Sequence, residues 1–137
     1  MKLLCYQAQS FAWKPFSQTL EDANPQPPSD ESENAVVIFV QVEAKDVDES
    51  RSRVFRKVLK HIKWMANKRE LRNIVLHSFA HLGGDNCEPE QAQTFLNDLD
   101  QRLSTTGYEV KQTPFGWFCS WELSVFGESM AKIFKEI

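Results

Sequence analysis

The run Ala35-Val36-Val37-Ile38-Phe39-Val40-Gln41-Val42 constrains the fold more than any other segment. It is short, β-branched and apolar at odd and even positions alike. As a strand it needs cover on both faces, so it reads as a central, buried one. Directly after it the period changes. From about Glu49 to Asn67, the residues Val54, Val58, Ile62 and Met65, with Phe55 and Leu59 beside them, recur at helical spacing. Asn73-Ile74-Val75-Leu76-His77 then returns to strand character. Strand, helix and strand in this order point to an α/β or α+β sheet with helices packed against it.

The remaining elements are read in the same way. Residues 2 to 7 form a first strand, and Phe11, Trp13 and Phe16 continue it as far as Pro15 permits. Residues 21–34 contain almost nothing to bury and read as a mobile loop inside the domain. Pro89 suits the first turn of a second helix, with an apolar stripe of Ala92, Phe95, Leu96, Leu99 and Leu103, and Gly107 follows its end. Tyr108 to Lys111 is a short strand. Trp117 to Phe126 is another, with Trp117, Cys119, Trp121, Leu123 and Val125 on one side and Phe118, Ser120, Glu122 and Ser124 on the other. Met130, Ile133 and Phe134 suggest a short C-terminal helix. The expected order is β-β-α-β-α-β-β-α: one α/β domain over 1–137, a mixed β-sheet with helices on it.

A chain of 137 residues is large enough for one proper core. No stretch approaches the roughly 18 apolar residues of a membrane span. The N-terminus loses its apolar character too soon for a signal peptide, so a cytoplasmic protein without membrane contact is expected. Cys5, Cys87 and Cys119 form no Cys-x-x-Cys pair. Neither a disulfide framework nor a zinc knuckle is supported, and no metal or cofactor is expected. The net charge of −3 hides an asymmetry. Residues 51–72 hold nine of the sixteen Lys and Arg against Glu70 alone. Such a segment is either an electrostatic footprint for phosphate or a solvated helix face that attracts acidic groups elsewhere in the protein. In the first case Arg53, Arg56, Lys57, Lys60 and Lys63 are the candidate phosphate contacts.

Two segments place chemistry where strands meet loops: Ser78-Phe79-Ala80-His81-Leu82 and Pro114-Phe115-Gly116-Trp117-Phe118. His81 follows a buried strand and precedes Gly83-Gly84, and a histidine can position or relay a proton near neutral pH. It can equally be a hydrogen-bonded structural residue. Leu82-Gly83-Gly84-Asp85 is a turn whose backbone N–H groups are able to meet an anion or carbonyl. Cys119 invites a Cys–His hydrolase reading with His81, but strand periodicity sets it among Trp117, Trp121 and Leu123, which favours packing. Phe115, Trp117, Phe118 and Trp121 are able to stack a terminal RNA base or to fill a core.

The order of Phe79-Ala80-His81-Leu82, Pro89, Gly107 and Pro114-Phe115-Gly116 resembles the editing domain at the N-terminus of archaeal-type threonyl-tRNA synthetases. The resemblance is strongest from about Ile74 to Lys135. It implies a fold like that of D-aminoacyl-tRNA deacylases, a homodimer, and a pocket for the aminoacylated 3′ end of a tRNA. The implied activity is aminoacyl-tRNA deacylation, with serine on threonine tRNA as the ester hydrolysed, by the domain alone or beside a synthetase partner.

By the same resemblance His81 and Phe118 shape the pocket with backbone groups near Ala80, and Phe115, Gly116 and Trp117 line it. Family members carry a Lys where Cys119 stands, a Glu where Lys132 stands, Tyr-Tyr where Trp117-Phe118 stands, and a His where Gln7 stands. His81, Cys119 and Lys132 are therefore the expected catalytic positions, with Lys132 returning the missing charge from another direction. A module that has lost turnover and binds aminoacyl-tRNA ends or a free amino acid is the rival reading. A purely structural or dimerisation domain is a third.

Overall fold

In the computed structural model, which describes residues 1–137, six strands and two helices follow in the order β1 (Lys2–Gln18), β2 (Asp30–Gln41), α1 (Arg51–Asn67), β3 (Asn73–Ser78), α2 (Pro89–Ser104), β4 (Glu109–Gln112), β5 (Trp117–Val125) and β6 (Lys132–Glu136). The six strands form one mixed sheet in the order β4-β3-β2-β1-β5, with β6 also on β1. The apolar run places β2 in the middle: antiparallel to β1 from Lys2↔Gln41 to Trp13↔Asp30, and parallel to β3 from Ala35↔Asn73 to Val40↔Ser78. β4 extends the sheet in parallel beyond β3.

The unbroken apolar character of β2 is explained by its two faces. Val36, Ile38 and Val40 join Met1, Leu3, Cys5, Ile74 and Leu76 under the helices, where Val54, Val58, Ile62 and Met65 of α1 and Phe95, Leu96, Leu99 and Leu103 of α2 cover them. Ala35, Val37 and Phe39 join Ala8, Phe11, Trp13 and Val75 on the opposite face. The basic residues of α1 are what remains on the solvent side.

That opposite face is covered by the sheet itself. β4 and β5 end the strand order, roughly 19 Å apart if the sheet were flat. Yet Thr113 still donates to the Leu76 carbonyl at 3.1 Å, and the steps from there to Trp117 reach only about 14 Å. The sheet must curl. β1 allows this through register shifts between Ala8 and Ser10 and between Pro15 and Ser17. β5 thereby comes back over β2 and β3, and the Trp121 ring lies 4.9 Å from Phe39 and 5.3 Å from His77.

Three expectations change. β1 continues past Gln7 as Phe11, Trp13 and Phe16 suggested, but Pro15 does not limit it. The strand runs through Pro15, which sits where the ladder shifts and where a missing N–H is tolerated. β2 begins at Asp30, so the loop within 21–34 is shorter than expected. The C-terminal helix is not formed: after a 3-10 turn at Ser129–Ala131 the chain becomes β6. Met130, Ile133 and Phe134 do have helical spacing, but Lys2 to Tyr6 of β1 would otherwise be an unpaired edge. β6 satisfies it, with Ile133 against Cys5.

Candidate active site

The parallel pair β2 and β3 ends at Val40-Gln41 and His77-Ser78, and the chain beyond both ends is drawn together by hydrogen bonds. Phe79 N–H donates to Val40 O at 3.0 Å and Cys87 N–H to Val42 O at 3.2 Å. Gln41, buried at the strand end, accepts from Leu82 N–H at 2.8 Å and donates to the Asn86 side-chain oxygen at 2.7 Å. Asn86 in turn donates to the Ala80 carbonyl at 3.4 Å. The loop carrying Ala80 and His81 is therefore fixed by the polar end of an otherwise apolar strand.

The second wall is set by Gly116. Its φ is +82°, and a Cβ there would come within 2.7 Å of the Ala23 methyl and 3.1 Å of Leu20. This close approach lets Thr19 and Leu20 N–H donate to the Gly116 carbonyl, at 2.7 and 3.3 Å. Trp117 Nε1–H donates to Asn24 O at 2.8 Å. The β1–β2 loop is thus a lip, and Trp117 is pinned to it.

Between these walls lies a cavity of about 290 Å³. Ala80, His81, Phe115, Gly116, Trp117, Phe118 and Cys119 all line it, together with Gln41, His77, Cys87 and Trp121. No Asp, Glu, Lys or Arg side chain does. Phe118 is 57% exposed at the mouth, as its place on the polar face of β5 suggested. His81 is exposed and stands edge-on to Phe79, with ring centres 5.4 Å apart.

His77 faces the same cavity from deeper in. Its Nδ1 shares a hydrogen bond with Thr113 Oγ1 at 2.7 Å, and burial pulls its pKa down to about 4, so the ring is neutral at pH 7. Burial pushes the Cys119 and Cys87 thiols up, so neither is a ready thiolate. His81, Asp85, Cys87 and Glu88 are not gathered into a metal-ligating cluster.

Lys132 is a correction to the expected set. It opens β6 opposite Tyr6, its side chain is exposed near the Gly127 carbonyl, and it does not line the cavity. Gln7 also lies elsewhere, donating to Met65 O at 2.8 Å under α1. Arg53, Arg56, Lys57, Lys60 and Lys63 all lie on α1 and none is taken into an ion pair, whereas Arg51 pairs with Asp98 and Arg69 with Glu128. Gln41, Asn86 and Thr113 were not singled out in the sequence. Gln41 alone left a signal, as a polar residue closing the apolar run Ala35–Val40.

A curled mixed sheet with two helices on one face and an uncharged cavity at the ends of its parallel strands defines a domain of the D-aminoacyl-tRNA deacylase-like fold. The solved structure of a c-Myc DNA Unwinding Element Binding Protein shares this fold, with a TM-score of 0.62 over 100% of this chain and 99% of that one at 15% identity. The family follows from the sequence comparison: residues 1–137 match the archaea-specific editing domain of threonyl-tRNA synthetase, and the chain belongs to that family. Threonine–tRNA ligases of Methanosphaerula palustris and Staphylothermus marinus are each 32% identical to it over 100% of the chain. That of Methanoregula boonei is 33% identical over 80% of the chain. The chain spans 22% of the length of the first two ligases and 18% of the third. No helix is long and apolar enough to cross a membrane.

Proposed function

We propose that this domain hydrolyses the ester of mischarged aminoacyl-tRNA, with serine on threonine tRNA as the substrate. The observation that carries the reading is the cavity of about 290 Å³, which brings together Ala80, His81 and residues 115–119 and contains no charged side chain. Its volume is at the low end for a ligand site and suits a small aminoacyl group. On this reading a wall of Phe, Trp and Cys separates serine from threonine by excluding the extra methyl. Exclusion matters here because binding a single methylene gives only about 1–3 kcal/mol of discrimination during charging.

Water attacks the ester carbonyl, with His81 at the mouth and backbone groups around Ala80 orienting the reacting groups. Cys119, neutral as a thiol, does not supply the positive charge an ammonium would bring there. The absence of one such group costs about 10²–10³ in rate without removing catalysis by the rest of the site. Lys132 lies outside the cavity, and Lys132→Ala is expected to leave the rate unchanged.

A homodimer belongs to the same reading. β5 has one partner strand, β1, and so a free edge, and Phe118 on β5 and Phe16 at the register shift of β1 are large exposed aromatics. Sedimentation velocity checks it, a single monomer species being the contrary result.

The uncharged cavity also favours a second reading, a module that binds aminoacyl-tRNA ends without turnover. One assay separates the two: deacylation of seryl- and threonyl-tRNA(Thr) by purified protein, with His81→Ala alongside. Loss of serine faster than of threonine, slowed in the variant, is the expected result. Binding of tRNA with neither ester hydrolysed would leave only the second reading.

A further inference from the structure

We propose that the C-terminal half of α1 and the end of β6 form a binding surface for single-stranded RNA, on which an unpaired base stacks against Trp64. The inference rests on reading the domain as one that acts on RNA, and it adds a contact remote from the cavity. A cleft of about 380 Å³ is lined there by Lys57, Lys60, His61, Trp64, Lys135 and Glu136, closing at Ile137. Trp64 is 40% exposed and lies off the buried stripe of Val54, Val58, Ile62 and Met65. Its ring stacks on His61, with centroids 5.8 Å apart and planes 26° from parallel. His61 is itself anchored at 3.6 Å from the Cys5 sulfur. The result is an aromatic platform supported by His61 and 40% exposed.

The charges around it suit a polyanion. Lys57, Lys60 and Lys135 line the cleft, and Lys68 Nζ lies 5.8 Å over the Trp64 ring. Glu136 is the one acidic side chain in the lining, and it also reaches Lys2 at 3.6 Å. The first turns of α1 differ, because the cleft that Arg53 shares with Lys45 and Lys57 is also lined by Asp46, Asp48 and Glu49. Cations beside an exposed aromatic ring are the two parts of a single-strand site: charge tracks the phosphates and the ring stacks the base. The place in the fold also fits. Lys2 of β1 pairs on one side with Gln41, which lines the cavity, and on the other with Glu136, which lines this cleft. The Gln41 and Glu136 backbones are thus two strand spacings apart, roughly 10 Å.

The test is fluorescence anisotropy with a fluorescein-labelled RNA oligonucleotide that carries no aminoacyl group and lacks internal pairing, and with its duplex. Trp64→Ala is expected to weaken single-strand binding about tenfold, while Trp64→Phe retains it. Lys60→Ala is expected to lower the slope of log affinity against log salt by about one. Equal affinity of Trp64→Ala and wild type, at matched melting temperature, would overturn the proposal. So would a duplex bound as tightly as the single strand and with the same dependence on Trp64. The probe carries no aminoacyl ester, so the outcome is independent of turnover. Deacylation without Trp64-dependent binding removes this surface and leaves the editing reading standing. Trp64-dependent binding without deacylation does the reverse.

Discussion

His77 and His81 share one strand end and one cavity but differ in what surrounds them. His77 is packed against Phe39 and Trp121 and bonded to Thr113, so the fold selects its neutral form. Its folded pKa, about 4, lies below the ordinary 6.5, so the unfolded chain binds the extra proton first. The stability this contributes is complete above pH 6.5 and is lost as pH falls toward 4. At pH 5 the loss is about 2 kcal/mol. Urea unfolding of wild type and His77→Gln at pH 7.5 and pH 5 checks this. The wild type is expected to lose more stability than the variant by that amount, and parallel pH profiles would show that His77 is not neutral because of the fold. The sequence marked His81 and not His77, since depth in a cavity depends on β5 folding back over β3. The Cys119 thiol was legible as a packing residue from strand alternation, and it packs with the Phe39 cluster while also lining the cavity.

At the scale of elements, the period of the sequence located β2, α1, β3, α2 and β5 to within a few residues, because each has a face or stripe buried against a neighbour. β6 and the full length of β1 were not legible for a common reason. Their identity is set by which edge needs a partner, and pairing between residues more than a hundred positions apart leaves little local trace. The candidate site followed the same division. The residues of 79–81 and 115–119 were visible because they flank strands, while the Gln41–Asn86 clasp depends on the 3D approach of two loops. Gly116 joins the elements of the second wall, and Gly116→Ala tests it. A left-handed φ costs a β-carbon residue about 1–2 kcal/mol, and the contact with Ala23 displaces the lip. The expected result is a lower melting temperature together with faster proteolysis within the 19–29 loop. Unchanged stability and unchanged cleavage would mean that the lip is not held by this approach.

For the molecule as a whole, the two ends of the chain are tied beside the cavity loop by a buried charge. The Met1 ammonium is fully buried, 2.9 Å from the Asp46 carboxylate and 2.9 Å from the Ile137 carbonyl, with Glu43 at 3.5 Å. Ile137 N–H donates back to the Met1 carbonyl at 2.8 Å, and Glu43 also binds Lys2 beneath Gly84. Burial outweighs the help from Asp46 and lowers the pKa of the amine below its ordinary 8.0. The pair is therefore a tie whose cost is only partly offset, and removing one partner exposes that cost. Asp46→Asn is expected to destabilise the domain by about 3 kcal/mol at pH 6, where the buried ammonium would keep only the more distant Glu43 as a counter-charge. The sign with pH follows from the amine. As pH rises toward 8 the amine sheds its proton, in the variant at a lower pH than in the wild type, so the difference between the two proteins shrinks. Salt distinguishes this tie from the RNA contacts of α1. A buried pair is screened little, so the loss should persist at high ionic strength where phosphate binding has collapsed. Urea titrations at pH 6 and pH 9, each at low and high salt, measure both dependences. A loss equal at the two pH values, or one that disappears with salt, would place the stabilising role of Asp46 in its other bond, to the Glu43 N–H at 2.8 Å, or at the surface.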